Sequence, residues 1–212
     1  MGKDSYKDQP LHFFLDKLCS KSPEPGGGSA SALVGATAAS LCGMLAALTI
    51  DKKGYEEHRD FMKKTYEKAK ALKDELLELL QKDTEAFDDA AKAFKMPKNT
   101  EEEKRKRAEA IEAGLKKATE VPLAIMEKSL EVSRLAIETL KRGNEMAITD
   151  GAISAIFAEA SVVGAMFNVR INFSWMKDKE YVKSTEERIS NIIEEAKKIR
   201  DEAVDYTLAK LQ

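Results

Sequence analysis

A chain of 212 residues, 43% hydrophobic and 34% charged, can bury a sizeable core and has neither a disordered nor a membrane composition. A net charge of −2 leaves no global basic field to hold nucleic acid. Cys19 and Cys42, without His neighbours, form neither a disulfide framework nor a zinc site, which points to reduced thiols in the cytoplasm.

The first ten residues are polar, so no signal peptide is expected. A first helix is predicted from about Pro10 to Cys19, followed by a turn over residues 22–28. Residues 25–50 then carry no charge and are long enough to span a bilayer. They consist mainly of Ala, Gly, Ser and Thr, lack an aromatic belt and a basic flank, and so predict a helix from about Ser29 to Ile50 buried inside the protein or a subunit interface. The third helix carries an apolar stripe through Met62, Tyr66, Ala69, Leu72, Leu76, Leu80, Asp83, Phe87, Ala90 and Phe94, in steps of three or four. Thr100 with Glu103 forms a capping-box pattern that opens a fourth helix, and Pro122 marks a break or a new first turn. The stripe from Leu123 to Leu140 ends at Gly143, a candidate C-cap. A polar link, 144–149, leads to a second small-residue helix from about Asp150 to Trp175, and a last helix covers roughly Tyr181 to Leu211.

No run alternates with period two, and no linker divides the chain, so the expectation is an all-α, single-domain bundle over residues 1–212. Its long antiparallel helices would surround the two small-residue ones. Gly35, Ala39 and Gly43 lie four apart, a spacing that permits close backbone approach. Helices so poor in large side chains imply that subunit contacts finish the burial, hence a homo-oligomer.

Asp83 breaks the apolar stripe. An unpaired carboxylate there costs several kcal/mol, so either a salt bridge satisfies it or it faces a cleft with a raised pKa, as a general acid or base. Pro25-Gly26-Gly27-Gly28-Ser29 is either a flexible turn with Ser29 as N-cap or a loop whose amides approach a ligand closely. Asn144, Thr149 and Asp150 stand at the entry to the second small-residue helix, where capping alone accounts for Thr149 or Asp150. Asn168 and Asn172 share one face of a largely apolar helix, where buried amides need partners. His12 and His58 lie in polar surroundings, and neither a catalytic triad nor a metal cluster has local support.

Several segments together resemble the formiminotetrahydrofolate cyclodeaminase family, which includes stand-alone methenyltetrahydrofolate cyclohydrolases. They are Pro25-Gly26-Gly27-Gly28-Ser29, Asp83-Thr84-Glu85-Ala86-Phe87, Met96-Pro97-Lys98, Glu102-Glu103-Lys104 with Arg107, Val121-Pro122-Leu123, Gly143-Asn144, and Thr149-Asp150-Gly151-Ala152 through Gly164-Ala165, Asn168-Val169 and Ile171-Asn172. The resemblance implies an all-helical, dimer-based enzyme that works on a tetrahydrofolate one-carbon unit without a metal or redox cofactor. Its leading form is the cyclodeaminase, which converts 5-formiminotetrahydrofolate to 5,10-methenyltetrahydrofolate and ammonia. The alternatives are a cyclohydrolase and a non-catalytic scaffold or folate binder. In the bifunctional enzyme the deaminase is fused to a transferase domain, which the resemblance does not reach here, so the expectation is either a separate formiminotransferase as partner or a cyclohydrolase; nucleic acid and membrane are not expected partners. On this resemblance Asp83, Lys98 and Asp150 are the catalytic candidates. Gly26, Gly27, Gly28, Ser29, Asn144, Asn168 and Asn172 would bind substrate, with Asp150 and Asn144 on the pterin edge of the same cleft.

Overall fold

The computed structural model describes residues 5–211, so the ends of the 1–212 domain, residues 1–4 and 212, lie outside the described residues. Among the described residues seven α-helices make up an all-α bundle: α1 (Leu11–Leu18), α2 (Gly27–Ile50), α3 (Arg59–Ala86), α4 (Asp88–Phe94), α5 (Glu101–Arg142), α6 (Ile148–Phe173) and α7 (Lys179–Lys210). No strand occurs among the described residues.

The two small-residue helices, α2 and α6, lie antiparallel against each other. Their contact is made by backbone and hydroxyl groups. Ser161 Oγ donates to Ser31 O at 2.7 Å, Ser154 Oγ donates to Ala38 O at 2.8 Å, and Ser129 Oγ lies 2.7 Å from Ser161 Oγ. Such approach is possible only where side chains are this small. The inner sides of the pair are covered by α3, α5 and α7, whose stripes supply the large apolar groups: Leu72, Leu76, Ile125, Met126 and Ile189 are fully buried. Cys42 belongs to the buried part of α2, where burial pushes its thiol up to about 11, so it stays protonated at neutral pH and packs as a small apolar group.

The capping box forms as expected: Glu103 N–H donates to Thr100 Oγ1 at 3.2 Å, and Thr100 N–H to Glu103 Oε2 at 3.1 Å. Three expectations need correcting. The third helix stops at Ala86 and restarts at Asp88, because α4 turns away to pack on α5. Phe87 is therefore 48% exposed instead of lying in the core. Pro122 does not break the fourth helix; α5 runs through it for 42 residues, about 63 Å at 1.5 Å per residue. Residues 144–149 are no simple link, since Glu145–Ala147 is a 3-10 turn and α6 already starts at Ile148. Gly143 does end α5, but with φ −83°, so its lack of a side chain matters for space: a Cβ there would lie 2.6 Å from Thr139 O.

The outward faces of α2 and α6 remain uncovered. Met44, Leu48, Ile153, Phe157, Phe167 and Ile171 lie on them and are exposed, as is Trp175 just past the end of α6. Gly27–Ile50 and Glu145–Phe173 are also long and apolar enough to cross a membrane, though half of each such window is buried in this protein.

The α4–α5 crossing leaves no room at Gly114, where a Cβ would lie 2.8 Å from both Ala90 N and Ala90 Cα. Backbone cannot yield as a side chain can. Gly114→Ala is expected to destabilise the chain by about 1–3 kcal/mol despite the better helix propensity of Ala. Urea unfolding should show a lower midpoint with an unchanged slope.

Candidate active site

A cleft of about 540 Å³, within the range of small-molecule sites, opens where the first turn of α2, the end of α3, the middle of α5 and the last turns of α6 converge. Its lining includes Gly26, Gly27, Gly28, Asp83, Phe87, Pro122, Asn168, Asn172 and Trp175. Five of the six predicted binding glycines and asparagines therefore meet in one place, together with the predicted acid/base.

Asp83 sits on the last turn of α3 and points at the first turn of α2. Ser29 Oγ donates to Asp83 Oδ2 at 2.8 Å, and the Ser29 backbone N–H donates to the same carboxylate. The helix begins at Gly27 with Gly26 as N-cap, so Ser29 is not the cap; Asp83 meets the unsatisfied amide of Ser29 from outside. Burial raises the Asp83 pKa above its usual value, and the two Ser29 hydrogen bonds pull it down less strongly. The α2 N-terminus also favours the anion, while the carbonyl end of α3 opposes it. No salt bridge to Asp83 forms among the described residues, so of the two sequence readings the cleft-facing carboxyl is the one the geometry supports.

Gly28 makes this contact possible. A Cβ there would lie 2.1 Å from Asp83 Oδ1, an impossible overlap. A Cβ at Gly27 would lie 3.7 Å from Asn168 Nδ2, so the two residues face each other across the cleft. Asn168 Nδ2 donates to Gly164 O at 3.1 Å, which sets its amide orientation at the cleft wall, and Asn172 is nearly fully buried one turn further on.

Two features of the cleft were not placed there by the sequence reading, which took Pro122 as a break. Pro122 lines the cleft and has no N–H to give to Ala118 O, so a carbonyl without its usual intrahelical donor stands in the cleft wall, where Ala118 also lies. An internal Pro in a long helical pattern is the signal that could have found it. The second is an aromatic rim. Phe94 packs edge-on against Trp175 with centroids 5.9 Å apart and lies 6.4 Å from Phe87, leaving Phe87 and Trp175 exposed at the mouth. A small satellite core of Ala90, Leu115 and Met176 holds these segments in place.

Three predicted residues are not brought to this cleft. Lys98 is exposed in the turn between α4 and α5. Asn144 and Asp150 stand at the opposite end of the bundle. Asn144 N–H donates to Thr49 Oγ1 at 2.9 Å, and Thr49 lies 22 residues along α2 from Gly27, roughly 33 Å. Within one chain, then, Asn144 and Asp150 do not share the cleft with Asp83. Asn144 Oδ1 accepts from Met146 N–H at 3.1 Å, a local cap.

The family model for formiminotransferase-cyclodeaminase matches residues 10–207. The chain belongs to this family. The methenyltetrahydrofolate cyclohydrolase of Methylorubrum extorquens is 35% identical over 204 residues, covering 96% of this chain and 98% of that protein. The formimidoyltransferase-cyclodeaminase of Mus musculus is 33% identical over 92% of this chain, which spans only 36% of that longer protein. A crystal structure of formiminotetrahydrofolate cyclodeaminase from Thermotoga maritima superposes with a TM-score of 0.87 at 25% identity, covering 97% of this chain and 99% of that one.

Gly28→Ala tests the contact on which the site rests. Ala suits a helix, so circular dichroism should show helix content retained. Turnover should fall at least about tenfold, since catalytic groups displaced by an ångström lose that much or more.

Proposed function

We propose that the cleft binds a tetrahydrofolate carrying a one-carbon unit and that Asp83 relays a proton at that carbon. The observation that carries the reading is the character of the lining: among the described residues it holds three carboxyl side chains, Glu24, Asp83 and Asp88, and no Lys or Arg. A protonated formimino group or a methenyl bridge is cationic, and an acidic cleft with a partly desolvated carboxylate favours it. The exposed rings of Phe87 and Trp175 offer flat apolar surfaces to a pterin. Asn168, Asn172 and the Ala118 carbonyl supply the donors and acceptors that its edge requires.

In the cyclodeaminase reaction the secondary amine of the folate attacks the formimino carbon. Asp83 takes the proton from that nitrogen and returns it to the departing amino group, which leaves as ammonia when the methenyl bridge closes. The chain would act in the cytoplasm as a homo-oligomer, and a separate formiminotransferase would supply the substrate. A second reading is favoured by the 35% identical relative of equal length, named a cyclohydrolase. Here water adds to the methenyl carbon, Asp83 takes one of its protons and passes it to the ring nitrogen that departs, and the remaining hydroxyl proton is released as the formyl carbonyl forms. Both reactions pass through one tetrahedral carbon and ask the same service of the carboxyl.

Purified protein given 5-formiminotetrahydrofolate should produce methenyl absorbance and ammonia above the uncatalysed rate. Turnover of 5,10-methenyltetrahydrofolate alone would establish the second reading, and a folded protein silent on both would sink the proposal. Asp83→Asn should lower kcat by about 10²–10⁴. The wild-type kcat/KM should fall with acidification through a limb displaced upward from the ordinary carboxylate range, because the base must be ionised; the variant should lack that limb. A raised folded pKa means that ionised Asp83 costs stability at neutral pH. The variant should therefore melt no lower than wild type there, and any advantage should shrink as pH falls through the raised pKa.

A further inference from the structure

We propose that Pro122 is a specificity residue: by withholding an N–H it keeps the Ala118 carbonyl open as an acceptor, and that carbonyl, with the Asn172 amide, selects the 2-amino-4-oxo edge of a pterin. This rests on the folate reading of the same cleft and names the part of the ligand that the cleft floor recognises.

Proline is the costliest residue in the interior of a helix. The other four prolines of the chain respect that rule: Pro10 is an N-cap, and Pro23, Pro25 and Pro97 lie in the turns between helices. Pro122 instead stands near the middle of the 42-residue α5. The helix passes behind the cleft at this point, and both Pro122 and the residue four before it, Ala118, line the cleft. Pro122 has no N–H for Ala118 O. The hydroxyl of the adjoining Thr119 does not replace it, because it donates to Leu115 O at 2.9 Å. A break made for packing alone could face any side of α5; this one faces the cleft.

Asn172 reaches the same floor from α6. It is only 8% exposed and lines the cleft, and its side chain forms no hydrogen bond among the described residues. Asn168, one turn earlier, satisfies its amide at Gly164 O. A buried carboxamide without a partner is costly and calls for one. Ala118, Pro122 and Asn172 are buried, whereas Phe87, Ile171 and Trp175 are exposed at the mouth, so the open carbonyl and the open amide lie at the deep end. The floor thus offers two acceptors and one donor: Ala118 O, Asn172 Oδ1 and Asn172 Nδ2. The pyrimidine edge of a pterin is the complement, since its 2-amino group and N3–H donate and its O4 accepts. Ala118 O takes a proton of the 2-amino group, and the Asn172 amide pairs with N3–H and O4. The opposite side of the head, which bears the one-carbon unit, is then left for the wall that Asp83 lines. A head without the 2-amino group gains nothing at Ala118, and one with a carbonyl in its place sets two acceptors against each other.

Calorimetric titration with a stable probe, 5-formyltetrahydrofolate, and with its analogue lacking the 2-amino group tests the assignment. Wild type should bind the analogue about fivefold to tenfold more weakly, the worth of one hydrogen bond. Pro122→Ala gives residue 122 an N–H that closes the helix bond to Ala118 O, so the variant should keep its helix content and melt no lower than wild type. It should bind the 2-amino probe about fivefold to tenfold more weakly, yet bind the analogue as wild type does, because the acceptor it consumes is one the analogue never used. In turnover its KM should rise by the same factor while kcat stays within about twofold, the mark of binding lost equally from ground and transition states. Asn172→Ala should weaken both probes alike and keep the wild-type preference between them. Pro122→Ala that weakens both probes alike would make the proline a matter of wall shape and overturn the proposal, as would a variant that binds the 2-amino probe like wild type. Wild type that binds both probes equally tightly would overturn it and leave the folate reading in place. Wild type that binds neither would remove both.

Discussion

The carboxyl of Asp83 reaches the first turn of α2 through a space that no Cβ at residue 28 could share. Everything at the cleft follows from that contact. It satisfies an amide at the start of a buried helix, ties the end of α3 to the start of α2, and holds a carboxyl group where water is scarce but the cleft is open. A cap in this position and a proton relay are usually rival explanations for a buried acid. Here one contact leaves room for both, because Ser29 occupies only one side of the carboxylate and leaves the other toward the cleft.

The packing beneath the site explains why the chain tolerates a helix pair so poor in large side chains. Ala and Ser on α2 and α6 remove little area from water themselves, but they let the two backbones come close enough for serine hydroxyls to reach carbonyls across the contact. The large apolar side chains reside on α3, α5 and α7, which wrap the pair. Exposed ion pairs such as Arg134 with Glu195 link the outer helices, and each contributes little in water. Stability is thus carried by the wrapping helices, while the central pair positions the site.

Much of this was legible in the residues. The period of the α3 and α7 stripes fixed the helices and their buried faces, and Asp83 drew attention because it violates its stripe. What one-dimensional periodicity could not show is where a stripe is interrupted by tertiary packing. Phe87 continues the pattern yet lies at the cleft, because α4 must turn to meet Gly114. Pro122 reads as a break yet sits inside a continuous α5, where its neighbours hold the helix together despite one lost hydrogen bond. Motif order likewise says nothing of distance. Asn144 and Asp150 belong to the same family pattern as Asn168, but a straight helix carries them to opposite ends of the bundle.

The central claim is that Asp83 is a proton relay facing a cationic carbon, and its own titration tests this most directly. The measurement is the carboxyl ¹³C shift of Asp83 against pH, assigned by comparison with Asp83→Asn, in free protein and with 5,10-methenyltetrahydrofolate bound. The account predicts a value above the ordinary carboxylate range in the free protein, where burial dominates, and a fall on binding, where the cation stabilises the ionised form. An Asp83 that titrates at the ordinary value and does not respond to the ligand would be a structural cap only, and the catalytic reading would not stand.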